Sequence, residues 1–137
     1  MSKIKLENLH AFAVKALLDA GMREADAQTV ADTLITTDTF GVMTHGTKNL
    51  AAYIEKMNAG GLDAKAEPMV ECDGPAFAVI NGNRAVGMVS ACMAMNLAVK
   101  KAKEVGIAYV GVKNSCHFGA AGYYSNIAAR EGLIGLA

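Results

Sequence analysis

The chain has 137 residues and a formal net charge of zero, because 13 lysines and arginines balance 13 aspartates and glutamates. This balance argues against binding nucleic acid or another polyanion by bulk electrostatics, since no excess positive charge is present to displace counterions. An apolar fraction of 53% and a charged fraction of 19% exclude a disordered composition.

Membrane and secreted classes fit the sequence poorly. The N-terminal segment carries charges throughout and has no apolar core of signal-peptide length. The longest uncharged stretches, residues 85–99 and 114–129, are shorter than the roughly 20 residues of a membrane-spanning helix. The three cysteines are an odd number without a CxxC pair, which argues against a disulfide framework or a zinc ribbon. We expect a cytoplasmic protein with reduced thiols and no membrane partner.

The first half of the chain has the apolar spacing of amphipathic helices. A first helix is predicted to end at Gly21, and a second to cover about residues 24–39. A third is predicted to begin at Thr47, a favourable N-cap residue, and to end at Gly60. The segment 44–46 is therefore expected to form a tight corner between two helices.

The pattern changes at Pro68, and the second half alternates strands and helices. The predicted elements are strands at 69–72 and 76–81, a helix at 87–104, a strand at 107–113, a helix at 119–131 and the start of a strand at 133–137. The helix at 87–104 is apolar nearly all round until its lysine-rich end, so we expect it to be buried against a sheet or a partner. The apolar end of the chain indicates an interrupted domain. We expect an α+β fold with a helical N-terminal lobe over residues 1–66 and a partial α/β domain with a mixed sheet over residues 67–137.

Two of the three histidines occupy positions suited to a ligand. His45 lies in the corner just before a helix start, where free N–H groups and the positive end of the helix dipole favour a carboxylate. The alternative is a loop histidine that caps the helix. His117 follows a strand and precedes a small-residue turn, and ligands bind at the carboxyl ends of strands in open α/β sheets. The alternative is a tight turn that merely needs small residues. His10 is expected at the surface.

Thiol and metal chemistry match the sequence less well. Cys116 is adjacent to His117, but neighbouring residues of a strand point to opposite faces, so a thiol–imidazole pair is not expected. A divalent ion held by His45, His117 and Asp38 would suit a small metal-dependent lyase. No ligand pair has the spacing of an HxxxH motif, and we expect no metal.

Two segments resemble the N-terminal signatures of the malate/L-lactate dehydrogenase family, whose nicotinamide-binding fold is not the Rossmann fold. The residues that match the first signature are Asp38, Gly41, Val42, Thr44, His45, Gly46 and Tyr53. The residues that match the second signature are Asn114, His117, Phe118, Gly119, Ala121, Gly122 and Tyr123. Because family members are more than twice as long, the resemblance implies the N-terminal portion of such an enzyme. Where the family usually has an arginine, this chain has Asn49, with Lys48 beside it.

The resemblance implies hydride transfer between NAD or NADP and a 2-oxo acid, a 2-hydroxy acid or a related imine. His117 is the expected general acid or base and His45 the second candidate, since an imidazole has a reference pKa of about 6.5. Tyr53 is expected to pack rather than to catalyse. The other implied roles are substrate binding by Thr44, Lys48 and Asn114, and cofactor binding by Phe118, Gly119 and Ala121.

The expected partners are a small-molecule 2-oxo or 2-hydroxy acid and either a second copy of the chain, as a homodimer, or a complementing C-terminal half. The alternative is that the chain is a catalytically inactive fragment, or one half of a split enzyme that acts through protein association. The apolar helix surface at 88–99 and a strand edge near 133–137 would supply the association surface.

Overall fold

The computed structural model describes residues 4–137 and alternates helices with a small sheet. Its elements, in chain order, are α1 (Leu6–Asp19), α2 (Glu24–Thr39), a 3₁₀ turn (Thr47–Asn49), α3 (Leu50–Asn58), β1 (Met69–Asp73), β2 (Phe77–Asn81), α4 (Gly87–Val105), β3 (Tyr109–Lys113) and α5 (Ala121–Arg130). The bounds of α2 agree with the prediction from apolar spacing. The expected α+β fold class is confirmed.

The three strands form one mixed sheet in the order β1-β2-β3. The hairpin of β1 and β2 is antiparallel, whereas β2 and β3 are parallel, with Phe77 opposite Tyr109 and Asn81 opposite Lys113. A parallel pair needs a crossover connection, and α4 provides it. The carboxyl ends of β2 and β3 therefore lie side by side.

The main core joins the N-terminal helices to the start of α4. Leu17 of α1 and Leu34 of α2 are fully buried, and Met88 of α4 belongs to the same cluster. Helix α4 also packs against α5, β2 and β3. The expected burial of this apolar helix holds for one face, because residues such as Met93, Leu97 and Val99 remain partly exposed. Within residues 4–137, none of the helices combines the length and the apolar character needed to cross a membrane.

Glycines end several helices in the left-handed conformation. Gly21, Gly41 and Gly106 have φ angles of 94°, 78° and 91°, a region that residues with a Cβ rarely enter. Gly119 has a φ of 82° and is therefore not helical, so α5 begins at Ala121 and not at residue 119.

The start of α3 differs from the prediction that Thr47 caps the helix. Thr47 is instead the first residue of the 3₁₀ turn, and its hydroxyl donates to Asp38 Oδ2 at 2.6 Å. The carboxylate of Asp38, at the end of α2, therefore takes the place of the predicted cap.

The last residues of the chain also differ from the prediction, because residues 133–137 form no strand. The amide of Leu133 donates to the carbonyl of Ala128 at 3.0 Å, so the chain turns back onto α5. A Cβ on Gly135 would lie 2.6 Å from the carbonyl oxygen of Ser125. The segment follows the helix instead of pairing with the sheet, and the predicted strand edge near 133–137 is wrong.

The predicted start of β3 at Ile107 is also early. The strand begins at Tyr109, where its ladder with β2 begins. Ile107 is 74% exposed and lies outside that ladder.

Candidate active site

The corner that carries His45 is held by a carboxylate. Asp38 Oδ2 accepts hydrogen bonds from the amide of Thr47 at 3.1 Å and from its hydroxyl at 2.6 Å. Gly46 is packed so closely that a Cβ would lie 1.7 Å from Asp38 Oδ1. This packing explains the glycine after His45 and fixes the backbone on which the imidazole stands.

The loop that carries His117 is held by the first residue of α4. A Cβ on Gly87 would lie 2.6 Å from the carbonyl oxygens of both Cys116 and His117. The amide of Gly87 donates to Cys116 Sγ at 3.3 Å, so the thiol points toward α4. His117 lies four residues beyond the last residue of β3, further from the strand end than the sequence predicted.

The two predicted site histidines meet in the folded chain. The rings of His45 and His117 are stacked with their centroids 5.4 Å apart and their planes at 28°. The hydroxyl of Thr44 is 2.9 Å from His45 Nδ1. The hydroxyl of Tyr53 is 2.6 Å from His117 Nδ1. This hydrogen bond leaves Nε2 as the ring nitrogen of His117 that is available to a ligand.

Tyr53 does more than the packing expected of it. It is 4% exposed and belongs to the core, and burial, with a smaller contribution from Cys116, raises its pKa to about 12. The phenol is therefore protonated at neutral pH. It can accept a hydrogen bond from the Nδ1–H of His117 when the imidazole is neutral and when it is protonated, so it can hold the ring in both states while Nε2 gains or loses the proton.

The protonation of His117 is biased toward the neutral form. Partial burial, followed by the nearby His45 and the charge of Lys56, lowers the pKa of His117 below its ordinary value. All three causes act in the same direction, because burial and nearby positive charge each disfavour the imidazolium. A neutral imidazole at pH 7 suits a general base.

A cleft of about 270 Å³ opens beside these rings. Its lining residues are Thr44, Asn49, Ala52, Tyr53, Lys56 and His117. Two of them, Thr44 and His117, were predicted as site residues. Lys48, which was predicted to bind substrate, is exposed and is not among the lining residues.

Three further residues line the cleft but were not predicted from the sequence to do so: Asn49, Ala52 and Lys56. A signal was present, because Ala52 and Lys56 have the helical spacing that places them on one face of α3 next to Tyr53, and Asn49 directly precedes this helix. Asn49 also has a structural task, since its Nδ2 donates to the carbonyl oxygen of Thr44 at 2.8 Å.

Asn114 lies at the ends of the parallel strands and not in the cleft. Its backbone is left-handed, with a φ of 51°, and its Nδ2 donates to Asn81 Oδ1 at 3.1 Å. Its carbonyl accepts from the amide of Arg84 at 3.0 Å. These contacts tie the end of β3 to the end of β2, and substrate binding by Asn114 stays a prediction.

The three predicted cofactor residues differ in accessibility. Phe118 directly follows His117 and is 37% exposed, with its ring against Tyr124. Gly119 is buried, and a Cβ there would be 3.5 Å from Met88 Cε. Ala121 is half-buried at the first residue of α5. Phe118 therefore offers the accessible apolar surface, whereas Gly119 lets the loop pack on α4.

Within the described part of the chain, no group of three or more histidine, cysteine, aspartate or glutamate side chains is placed to hold a metal ion. Asp38, a conceivable metal ligand by sequence, uses Oδ2 to accept both hydrogen bonds from Thr47. The site consists of imidazole, phenol, hydroxyl, amide and ammonium groups.

The known proteins to which this chain is similar are dehydrogenases. The malate/L-lactate dehydrogenase family profile matches residues 4–137. A malate dehydrogenase of Pyrococcus horikoshii is 40% identical over 134 residues, which are 98% of this chain and 37% of the relative. A ureidoglycolate dehydrogenase (NAD(+)) of Escherichia coli O157:H7 is 37% identical over 98% of this chain and 38% of the relative.

The fold agrees with the same family. A crystal structure of malate dehydrogenase from Entamoeba histolytica superposes with a TM-score of 0.93 and 36% sequence identity, covering 96% of this chain and 37% of that one. The chain thus spans between a third and two fifths of the length of the relatives that it matches.

Proposed function

The chain belongs to the malate/L-lactate dehydrogenase family, and on this premise we propose that it forms the N-terminal part of an NAD(P)-dependent oxidoreductase. The proposed reaction is reversible hydride transfer at the C2 carbon of a 2-oxo or 2-hydroxy acid, or of a related imine. The observation that carries the proposal is the meeting of Tyr53 and His117 at one cleft, with the ring of His45 stacked on that of His117. A cytoplasmic location and a homodimer stay predictions.

His117 is the proposed general acid and base. Reduction of a carbonyl at C2 needs a proton on the oxygen, and oxidation of a hydroxyl needs that proton removed. With Nδ1 bound to Tyr53 at 2.6 Å, Nε2 is the atom that exchanges this proton with the substrate. Tyr53 acts as a positioning residue, because it holds the ring without being the proposed proton donor to the substrate.

His45 is the proposed second group at the substrate. Its ring stacks on His117 with the centroids 5.4 Å apart, and its Nδ1 lies 2.9 Å from the hydroxyl of Thr44. This contact orients the imidazole. We propose that His45 and Thr44 orient the substrate while His117 moves the proton.

The residues described here fit one part of a nicotinamide cofactor. Phe118 presents an exposed apolar ring next to His117, and a Cβ on Gly122, in the first turn of α5, would meet nothing within 4 Å. When bound, NAD or NADP supplies or accepts the hydride. We propose that Phe118 and the start of α5 at Ala121 contact it, and that Gly119 acts through the shape of the loop.

The test is replacement of His117 in the full-length context in which these residues function. His117→Ala is expected to abolish turnover of 2-oxo acids while NADH affinity, followed by fluorescence, stays nearly intact. His10→Ala is the matched control, because His10 pairs with Asp32 at 2.8 Å on the surface. Near-normal turnover of His117→Ala would show that His45 or another group is the general acid.

A second candidate function is association with a complementing chain. The amide of Tyr109 donates to Ala76 of the neighbouring strand segment at 2.9 Å, so alternate residues of β3 face β2. The peptide groups of Val110 and Val112 therefore point to the other edge, where no strand lies within the described residues. Ile107 and Tyr109 are 74% and 73% exposed beside it. A strand from a C-terminal half would pair there.

Association is tested by the solution mass of the chain together with NADH binding. Ile107→Lys combined with Tyr109→Lys is expected to reduce self-association or complementation, because charges on an edge oppose further pairing. Phe12→Lys is the control, since Phe12 is an exposed apolar residue on α1. An unchanged mass and unchanged complementation in the β3 variant would exclude this edge as the association surface.

A further inference from the structure

The cleft beside His117 has one cationic residue among its lining residues, Lys56. We propose that the ammonium group of Lys56 binds the carboxylate of the substrate and thereby couples substrate binding to protonation of His117. This inference rests on the proposed function, because it assigns a residue to the carboxylate that all 2-oxo and 2-hydroxy acids share.

The placement of Lys56 follows from the geometry of α3. Tyr53 and Lys56 are three residues apart on this helix, and side chains at this spacing are neighbours. Tyr53 reaches His117 from the same face. Lys56 therefore lines the cleft next to the imidazole that exchanges the proton.

The ammonium group of Lys56 is available for a ligand. Within residues 4–137 it forms neither a side-chain hydrogen bond nor an ion pair, unlike Lys15, which pairs with Asp19. A lysine side chain carries a compact charge on a flexible stem with three donors. The flexible stem lets the ammonium group adjust its position to bind a carboxylate in the cleft.

The two other candidates for this role are placed differently. Asn49 occupies the position where the resemblance leads one to expect arginine, but it is neutral and its Nδ2 donates to the carbonyl of Thr44. Lys48 and Lys56 are both exposed, but Lys48 lies on the 3₁₀ turn and, unlike Lys56, does not line the cleft. Lys56 on α3 thus supplies the positive charge that position 49, on the preceding 3₁₀ turn, lacks.

The charge of Lys56 already acts on His117. The groups that face the His117 ring are His45, the hydroxyl of Tyr53 and Lys56, with Cys116 next to it in the chain. Lys56 is one of the causes that lower the pKa of His117. A carboxylate bound to Lys56 offsets that charge and raises the pKa, so anion binding and proton uptake favour each other. Carboxylate affinity is therefore expected to fall as the pH rises through the pKa of His117.

The test follows the ring signals of His117 by NMR in the chain, with pyruvate as the probe and methyl pyruvate as its uncharged counterpart. The His117 signals are assigned from their loss in His117→Gln. Pyruvate is expected to raise the pKa of His117, whereas methyl pyruvate leaves it unchanged. Lys56→Met is expected to weaken pyruvate binding about tenfold to a hundredfold, the usual effect of losing a hydrogen bond to a charged group.

Further variants separate the charge from the side chain. Without ligand, Lys56→Met is expected to raise the pKa of His117, while Lys56→Arg keeps both the pKa and pyruvate binding close to those of the parent chain. Lys100→Met is the control, because Lys100 is an exposed lysine on α4 outside the cleft.

The outcomes separate the role of Lys56 from the proposed function. Unchanged pyruvate binding in Lys56→Met overturns the inference and leaves the proposed function intact. Loss of binding in Lys48→Met alone assigns the carboxylate to Lys48 instead. Absence of pyruvate binding in the full-length context, with and without NADH, overturns the proposed substrate class and the inference together.

Discussion

The hydroxyl of Tyr53 on α3 lies 2.6 Å from Nδ1 of His117, although 64 residues separate the two in sequence. This hydrogen bond links the helical part of the chain to the loop that follows β3. It also fixes which nitrogen of His117 is left for the substrate. The pair therefore connects the packing of the fold with the proposed proton transfer.

Tyr53→Phe is expected to lower turnover about tenfold to a hundredfold, corresponding to about 1.4–2.8 kcal/mol, because the His117 ring loses the bond that orients it. The aromatic ring still fills its place in the core, so the thermal midpoint should change little. The specific readout is the tautomer of His117 from ¹⁵N NMR, which a purely structural role would not alter. Tyr109→Phe is the control, because Tyr109 is 73% exposed. An unchanged tautomer would show that the hydrogen bond does not control the ring.

The free energy of unfolding is expected to fall as the pH drops from about 7.5 to 5.5. Burial, His45 and Lys56 lower the pKa of His117 in the folded state, so the unfolded chain takes up the proton first. Stability is therefore lost below the unfolded pKa, and this contribution levels off below the folded pKa. Urea unfolding of His117→Gln should show a smaller pH dependence than the parent chain. Equal slopes for both proteins would contradict a depressed pKa at this histidine.

Gly87→Ala is expected to cost about 1–3 kcal/mol in the free energy of unfolding, because the new Cβ forces the neighbouring backbone to move. A Cβ there would lie 2.6 Å from the carbonyl oxygens of Cys116 and His117. The displacement includes His117, so turnover should fall as well.

Gly122→Ala is the control for Gly87→Ala, because a Cβ at this helical position meets nothing within 4 Å. This substitution should raise the free energy of unfolding of the chain by about 0.4–1 kcal/mol. Chemical denaturation measures both, and equal effects would contradict the packing described here.

Lys101→Met is expected to destabilise the chain by about 1–3 kcal/mol. The side chain of Lys101 is 11% exposed, and its ammonium group donates to the carbonyl of Gly74 at 2.7 Å and pairs with Asp73 at 2.5 Å. Its removal takes a hydrogen bond from the half-buried Gly74 carbonyl, whereas the Asp73 carboxylate is 61% exposed and stays hydrated. Lys103→Met is the matched control, since its ion pair with Glu131 is about half exposed on both sides. Exposed pairs contribute little, and the change should stay within about 1 kcal/mol. Thermal melts measure both variants. A larger drop in the thermal midpoint for Lys103→Met than for Lys101→Met would show that burial does not determine how much each lysine stabilises the fold.

Much of the local structure could be predicted from the sequence. Apolar spacing identified α2 with its observed bounds, and glycines such as Gly21 and Gly106 end their helices with positive φ angles. The prediction was wrong at residues 133–137, because a strand needs a ladder partner and this segment packs along α5 instead. Local propensity does not reveal which neighbour an apolar segment will find.

The candidate site was predicted in part. The positions of His45 and His117 left a purely structural role open for each, and the family signatures made them site candidates. Their rings stack in the fold. Lys56 and the role of Tyr53 were missed, because helical spacing places both on one face but does not say what lies opposite. Lys48 was preferred for its position beside Asn49, whereas the turn geometry leaves it exposed outside the cleft.

The sequence by itself determined the periodicity of the helices, their glycine stops and the family signatures, because each depends on residues close together along the chain. Only the tertiary structure decided that Tyr53 binds His117, that His45 stacks on it and that Lys56 is the cation of the cleft. These contacts join elements more than 60 residues apart. Their geometry depends on how α4 packs between the N-terminal helices and the sheet, which no local pattern encodes.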